Sequence, residues 1–164
     1  MNNFLNINEV SQKNLKAIME DASTVKSGSV SEDSYINCLK NSITGLLFEK
    51  PSTRTRMSFD IAIKQLGGSS IILNPDGIHY GKGDETLKDT AKVLTEYVDI
   101  VMLRTSSHKN LEEFGKHLDI PIINGLSNIG HPCQIMSDIL TYEESNGNIV
   151  GKKVAWLGDG NNNM

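Results

Sequence analysis

Four short apolar runs constrain this chain more than any other feature. They are ITGLLFE (43–49), SSIILN (69–74), DIVMLR (99–104) and IPIING (120–125). Runs such as DIVML lack polar alternation, so they suit strands covered on both faces. Amphipathic segments separate them, and strands alternating with helices imply a parallel sheet with helices on both sides. The expected fold is therefore α/β, a parallel four-stranded sheet inside a three-layer αβα sandwich.

The helical segments follow from spacing and end signals. Asn8 is placed to cap a first helix reaching about Lys26, with Val10, Leu15, Ile18, Met19 and Ala22 on one broad face. Ser52 opens a second helix, with Met57, Ile61, Ala62 and Leu66 expected inward and Gly67-Gly68 ending it. ETLKDTAKVLTEYV carries Leu87, Ala91, Leu94 and Val98 at helical spacing, NLEEFGKHL gives a short helix, and Pro132 to about Glu144 gives another. PDGIHYGKGD reads as a glycine-rich loop, and KKVAWLGDG as a fifth strand outside the sheet.

Composition excludes several classes. The 164 residues fit one domain, or one domain with a piece of another. A hydrophobic content of 38% and a charged content of 22% suit a globular protein, and a net charge of −4 does not suggest a nucleic-acid binder. No apolar run approaches the roughly 20 residues that span a bilayer. The N-terminus lacks a cationic-then-apolar signal pattern. Cys38 and Cys133 supply neither a disulfide framework nor metal-ligand spacing, so a reducing cytoplasm is the expected location.

In a parallel α/β sheet, ligands bind beyond the carboxyl ends of the strands. Three polar clusters fall there: Ser52 to Thr55, Arg104 with Thr105, and His131 to Gln134. The stretch FEKPSTRTRMSFD places Arg54 and Arg56 in a first helical turn, against the positive end of the helix dipole. An anion resolves that conflict, because a phosphate takes the free N–H groups, the Ser52 and Thr55 hydroxyls and a guanidinium together. A charge pair at about 4 Å is worth roughly 4 kcal/mol at an effective dielectric near 20. The opposing dipole term is only about 0.3–1 kcal/mol. The bland alternative is a simple Ser52 cap with solvated arginines. In GHPCQ, Pro132 suits the first helical position, His131 the N-cap and Gln134 the third position. Gln134 is then either a ligand contact or a reciprocal cap to His131. A helix N-terminus lowers a histidine pKa and favours a neutral imidazole that donates to a carbonyl.

FEKPSTRTRMSFD, MLRT and HPCQIMSDILT together resemble the carbamoyltransferase family, nearer its ornithine-specific than its aspartate-specific members. The resemblance runs from about residue 42 onward, and it combines two motifs far apart in the chain. It implies transfer of the carbamoyl group of carbamoyl phosphate to the side-chain amine of ornithine, giving citrulline and phosphate, with no metal or organic cofactor. Carried onto this sequence, Ser52, Thr53, Arg54 and Thr55 hold the phosphate with Arg104. Arg104, Thr55 and His131 polarise the carbamoyl oxygen, and Gln134 accepts from the carbamoyl amine. Arg56 takes a structural part.

The same resemblance implies a carbamoyl-phosphate-binding domain over 1–148. Residues 149–164 then form the linker and first strand of a truncated ornithine-binding domain, with Asn163 matching an ornithine contact. It implies a homotrimer with sites at subunit boundaries, in which His79 and Lys82 are candidate cross-subunit contacts or, alternatively, part of a solvated turn. Gly83 stands where the aspartate-type enzymes carry a loop lysine. Two alternatives remain open: an aspartate carbamoyltransferase, and a non-catalytic phosphate-ligand-binding or trimerising module. The chain as it stands is expected to bind without turning over.

Overall fold

The computed structural model describes residues 3–28, 35–74 and 85–160. Strand β1 (Asn3–Phe4) and a 3-10 turn (Ile7–Glu9) precede α1 (Gln12–Ser27). Then come β2 (Ile43–Phe48), α2 (Thr53–Gln65), β3 (Ser69–Leu73), α3 (Leu87–Tyr97), β4 (Ile100–Arg104), α4 (His108–His117), β5 (Ile122–Leu126) and α5 (Pro132–Asn146). The sheet is parallel throughout, in the order β1-β5-β4-β2-β3.

The sheet has five strands where four were expected. The fifth is the two-residue β1 beside β5, too short for its sequence to carry a periodic signal. Its register is held by Asn3, whose Oδ1 accepts from the Ile122 N–H at 3.3 Å, and by the burial of Leu5.

Alternation along the strands feeds two cores. On one face Leu47, Val101, Leu103 and Ile122 meet Ala91, Leu94 and Val98 of the α3 region and Leu111, Phe114 and Leu118 of the α4 region. On the other face Leu46, Phe48 and Met102 meet Ile63, with Phe59 and Ile72 packed against them. Helices therefore cover both faces. Burial of each such side chain contributes about 1.5–3 kcal/mol.

Three expectations need correction. Helix α1 starts at Gln12 under a Ser11 cap, not at Asn8, because Ile7–Glu9 close a separate 3-10 turn. Helix α2 faces inward through Thr55, Phe59 and Ile63, while Met57 is 56% and Ile61 46% exposed. Four apolar residues at alternate positions (57, 59, 61, 63) leave the helical phase undecided in sequence. The segment KKVAWLGDG forms no strand; residues 152–160 run exposed, with Val154, Trp156 and Leu157 uncovered. A strand needs a neighbour for its backbone groups, and none of the described strands pairs with this segment.

β2 lies where the chain order reverses, with β3 on one side and β4 on the other. A crevice opens at such a reversal beyond the carboxyl ends of the strands. A bulge shapes its far side. Leu103 pairs with Asn124 but Arg104 pairs with Leu126, so Gly125 is the extra residue. A Cβ on Gly125 would lie 2.2 Å from Met102 Sδ, whereas one on Gly130 meets nothing within 4 Å. Gly125→Ala is expected to cost about 1–3 kcal/mol through overpacking against the buried Met102. Gly130→Ala should be near neutral. Urea denaturation of both variants checks this; equal midpoints would refute the packing argument.

Candidate functional site

The first wall of the crevice is the turn from β2 into α2. Glu49 locks it to the end of β4: its N–H donates to the Arg104 carbonyl at 2.9 Å. Its carboxylate accepts from Thr105 Oγ1 at 2.5 Å and the Ser106 N–H at 3.1 Å. Pro51 then leads into Ser52, the α2 N-cap, whose backbone is extended and whose hydroxyl makes no capping hydrogen bond. Thr55 is buried, and its Oγ1 accepts from Arg104 Nη1 at 3.0 Å. Arg104 Nε is buried with no hydrogen-bond partner among the described residues.

Arg54 and Arg56 separate in role. Arg56 donates through Nη2 to Asn74 Oδ1, and its guanidinium lies 5.4 Å from the Phe48 ring centroid, a cation–π contact that fastens α2 to the sheet. Arg54 stays exposed at the helix tip. Burial pulls the Arg104 pKa down, and repulsion from Arg54 adds to it. The guanidinium remains charged at neutral pH.

The second wall is the start of α5. His131 is the N-cap, with φ −134° and ψ 82°, and Pro132 occupies the first helical position as the motif required. His131 is buried, its Nδ1 has no partner among the described residues, and its side chain does not cap the helix. Its pKa is lowered, first by burial and then by the Arg104 charge, with Asp138 pulling weakly the other way. Burial is thus the main cause of the shift. Gln134 does not form the reciprocal cap; its Nε2 donates along the helix to Asp138 Oδ1 at 2.8 Å. The Cys133 thiol points back to the Asn124 carbonyl at 3.8 Å, and burial pushes its pKa up to about 11, so it is no nucleophile at neutral pH.

These walls enclose a cleft of about 470 Å³. It brings together Ser52, Thr53, Arg54, Thr55, Arg104, His131 and Gln134, all singled out in the sequence. Ser58 and Ser137 also line it, one helical turn or less from Thr55 and Gln134, and helical spacing from the motifs was the signal that could have found them. His79, Lys82 and Asn163 lie outside the described residues. Among the described residues no group of three or more His, Cys, Asp or Glu could hold a metal ion.

The helix caps divide by position. The N-caps of α1, α3 and α4 accept from backbone N–H groups through Ser11, Thr86 and Ser107. The two helices that open onto the cleft, α2 and α5, have no side-chain cap and no acidic residue in the first turn. The N–H groups of the first α2 turn, with the Arg54 and Arg104 guanidinium groups that line the same cleft, form a donor-rich, positive surface, fitted to a small oxyanion.

Comparison with known proteins gives the family of the chain. The family model for the aspartate/ornithine carbamoyltransferase, carbamoyl-P binding domain, matches residues 2–144. An ornithine carbamoyltransferase of Ruegeria pomeroyi is 45% identical over 99% of this chain and 54% of its own length. The chain thus spans about half the length of the curated relatives it matches. Among solved structures, the ornithine carbamoyltransferase from Pyrococcus furiosus superposes with a TM-score of 0.91 at 38% identity, covering 99% of this chain and 51% of that one. The one from Burkholderia thailandensis gives 0.90 at 36%, covering 99% and 56%.

The His131 shift has a consequence for stability. Its folded pKa lies below the ordinary value of 6.5 that the unfolded chain shows. Above that value both states are neutral. As the pH falls below it, the unfolded chain takes a proton that the folded one refuses, so stability declines until the folded pKa is passed. Urea midpoints should drop as the pH falls through 6.5, and His131→Asn should flatten that drop. A variant that loses as much stability as the wild type over this window would contradict the assignment.

Proposed function

We propose a function for this chain from the premise that it belongs to the aspartate/ornithine carbamoyltransferase family, through that family's carbamoyl-phosphate-binding domain: the cleft between α2 and α5 holds carbamoyl phosphate. In the complete protein the reaction is transfer of the carbamoyl group to the side-chain amine of ornithine. The amine nitrogen bonds to the carbamoyl carbon, the carbon–oxygen bond to phosphorus's ester oxygen breaks, the amine loses a proton, and citrulline and inorganic phosphate leave. The single observation that carries this reading is the pair of uncapped helix starts that open onto one cleft, which Arg104 and Arg54 also line.

The roles follow from chemistry. The phosphate takes the N–H groups of the first α2 turn, the Ser52 and Thr55 hydroxyls and the Arg54 guanidinium. Arg104, already bonded to Thr55, spans the phosphate and the carbamoyl oxygen, where negative charge grows as the amine attacks. His131, kept neutral by burial, donates to that same oxygen rather than adding a competing charge. Gln134 reaches the carbamoyl amine after release from Asp138. Arrangement of both substrates in one cleft contributes further to the rate. No metal or organic cofactor enters any of these steps.

Residues 1–148 form the phosphate-ligand unit in this reading, and 149–164 lead towards the part that binds ornithine. The exposed Met57 and Ile61, one turn apart on α2, fit a surface that a second subunit covers in a homotrimer. The reaction's substrates are small, soluble metabolites, consistent with a cytoplasmic setting.

Calorimetric titration with carbamoyl phosphate tests the reading. Arg104→Ala should weaken binding about a hundredfold, since it removes a charge-assisted bidentate donor worth about 3 kcal/mol. Ser52→Ala, which removes one neutral hydrogen bond, should weaken it about fivefold. In the complete enzyme, Arg104→Ala should likewise lose more turnover than Ser52→Ala. Wild-type protein that gives no heat with carbamoyl phosphate, or two variants that lose equally, would reject it.

A further inference from the structure

His108 is the first residue of α4, lies outside the cleft, and is 3% exposed. Nothing in the proposed reaction uses it. Its imidazole is nonetheless fully engaged: Nε2 stands 3.0 Å from Asn6 Nδ2, and Nδ1 stands 2.8 Å from Ser127 Oγ. The Glu112 carboxylate, half exposed, lies 3.8 Å from Nε2.

The proton positions can be deduced. Asn6 Nδ2 also donates to Glu9 Oε1 at 3.0 Å. A carboxylate only accepts, so the Asn6 amide nitrogen must face that way. The same NH₂ group then donates its second hydrogen to His108 Nε2, which accepts. The His108 proton therefore sits on Nδ1 and is donated to Ser127 Oγ. Ser127 Oγ accepts as well from the Ile129 N–H at 3.3 Å and the Gly130 N–H at 3.4 Å, so its own hydrogen turns towards the Gly130 carbonyl at 3.5 Å.

Gly130 directly precedes His131. Its carbonyl collects the Ser127 N–H at 3.0 Å and Asn124 Nδ2 at 3.3 Å as well. Asn124 is fully buried; it donates to the Leu5 carbonyl at 2.9 Å and accepts from the Leu126 N–H at 2.9 Å. Leu126 carries a positive φ of 142°, a strained backbone for a leucine. Such strain persists only where the surroundings over-determine it, and it clusters at functional sites. A second tether runs in parallel, from the His108 N–H to Asn128 Oδ1 at 2.6 Å. The turn from β5 to α5 is therefore clamped at Ser127, Asn128 and Gly130, and two of those clamps originate on His108.

We propose that His108 is a positioning residue for the cleft: through the chain His108 Nδ1–H, Ser127 Oγ, Gly130 carbonyl it fixes the peptide from which the His131 imidazole enters the carbamoyl-phosphate site. The inference rests on the reading of that cleft given above. It concerns the buried side of the site, where no ligand atom reaches, and it makes a directional claim: the donor on Nδ1 matters, the acceptor on Nε2 does not.

Three substitutions at His108 and one at Ser127 separate the possibilities. His108→Asn places an amide N–H near the position of Nδ1 and keeps the donor. His108→Gln reaches the Nε2 position and loses it. His108→Ala loses both, and Ser127→Ala removes the acceptor while leaving the imidazole packed. The readouts are the NMR titration of the His131 ring, assigned from His131→Asn, and calorimetric affinity for carbamoyl phosphate.

In His108→Ala, His108→Gln and Ser127→Ala the His131 pKa should rise towards the ordinary histidine value as the turn loosens and water enters. Affinity should fall roughly tenfold, the size of one buried hydrogen bond to a positioned group. His108→Asn should retain both wild-type values. The inference is overturned if His108→Ala or Ser127→Ala leaves the His131 titration unchanged, or if Gln restores it as well as Asn. Should His108→Ala not fold, Ser127→Ala and the Asn/Gln pair decide alone. Absence of carbamoyl phosphate binding in the wild type rejects the cleft's ligand but not the positioning, which the titration reads independently.

Discussion

The Arg104 to Thr55 hydrogen bond is the contact on which the cleft depends. It joins the end of β4 to the first turn of α2 across the crevice, with Arg104 held by the sheet and Thr55 buried on its helix. Arg104 gives up hydration to be there and stands near a second guanidinium, and both effects disfavour its charged form. A fold that keeps a cation in such a place carries a local cost that sheet and core packing offset. The cost is recovered when an anion arrives, because the same low-dielectric surroundings that penalise the lone charge strengthen its pairing.

The topology explains why this contact is possible. Parallel strands direct all their carboxyl ends the same way, and the reversal of order at β2 parts the connections on either side. Glu49 then ties β2 to Thr105 and Ser106, and the bulge at Gly125 gives β5 the extra residue that carries its exit over the cleft. The helix starts complete the surface. Elsewhere Ser11, Thr86 and Ser107 close the helix ends, so the open ends of α2 and α5 are a local choice and not a general looseness of capping.

Much of this was legible in the residues. β2, β4 and β5 announced themselves because they are largely buried on both faces and therefore mostly apolar, while the edge strand β3, only partly covered, still showed as a short apolar run at 71–73. The three polar clusters fell near the carboxyl ends of β2, β4 and β5 as a parallel sheet demands. What was not legible depended on tertiary choice. Met57, Phe59, Ile61 and Ile63 offer two helical stripes of similar apolarity. The phase is settled by Thr55 turning to Arg104 and by Arg56 lying over Phe48, which bring Phe59 and Ile63 inward and leave Met57 and Ile61 outside. The site thus sets the orientation of the helix that carries it. His108 and Ser127 escaped notice for another reason. Their partnership spans nineteen residues and two elements, and neither residue has a local pattern that sets it apart from an ordinary helix start or turn.

The two basic groups facing each other across the cleft end up in opposite protonation states, although burial acts on both in the same direction. Arg104 starts so far above neutral pH that desolvation and Arg54 leave it charged. His131 starts near neutrality, so the same desolvation, together with the Arg104 charge, leaves it uncharged. One environment therefore yields one fixed cation and one neutral donor. That division suits a ligand with two different oxygens: a phosphate that calls for full charge, and a carbamoyl oxygen that gains charge only as the bond to nitrogen forms. A second cation in place of the neutral imidazole would bind the ground state more tightly without favouring the transition state to the same degree. Separation of the two intrinsic pKa values, acted on by a common burial, is enough to assign the two roles.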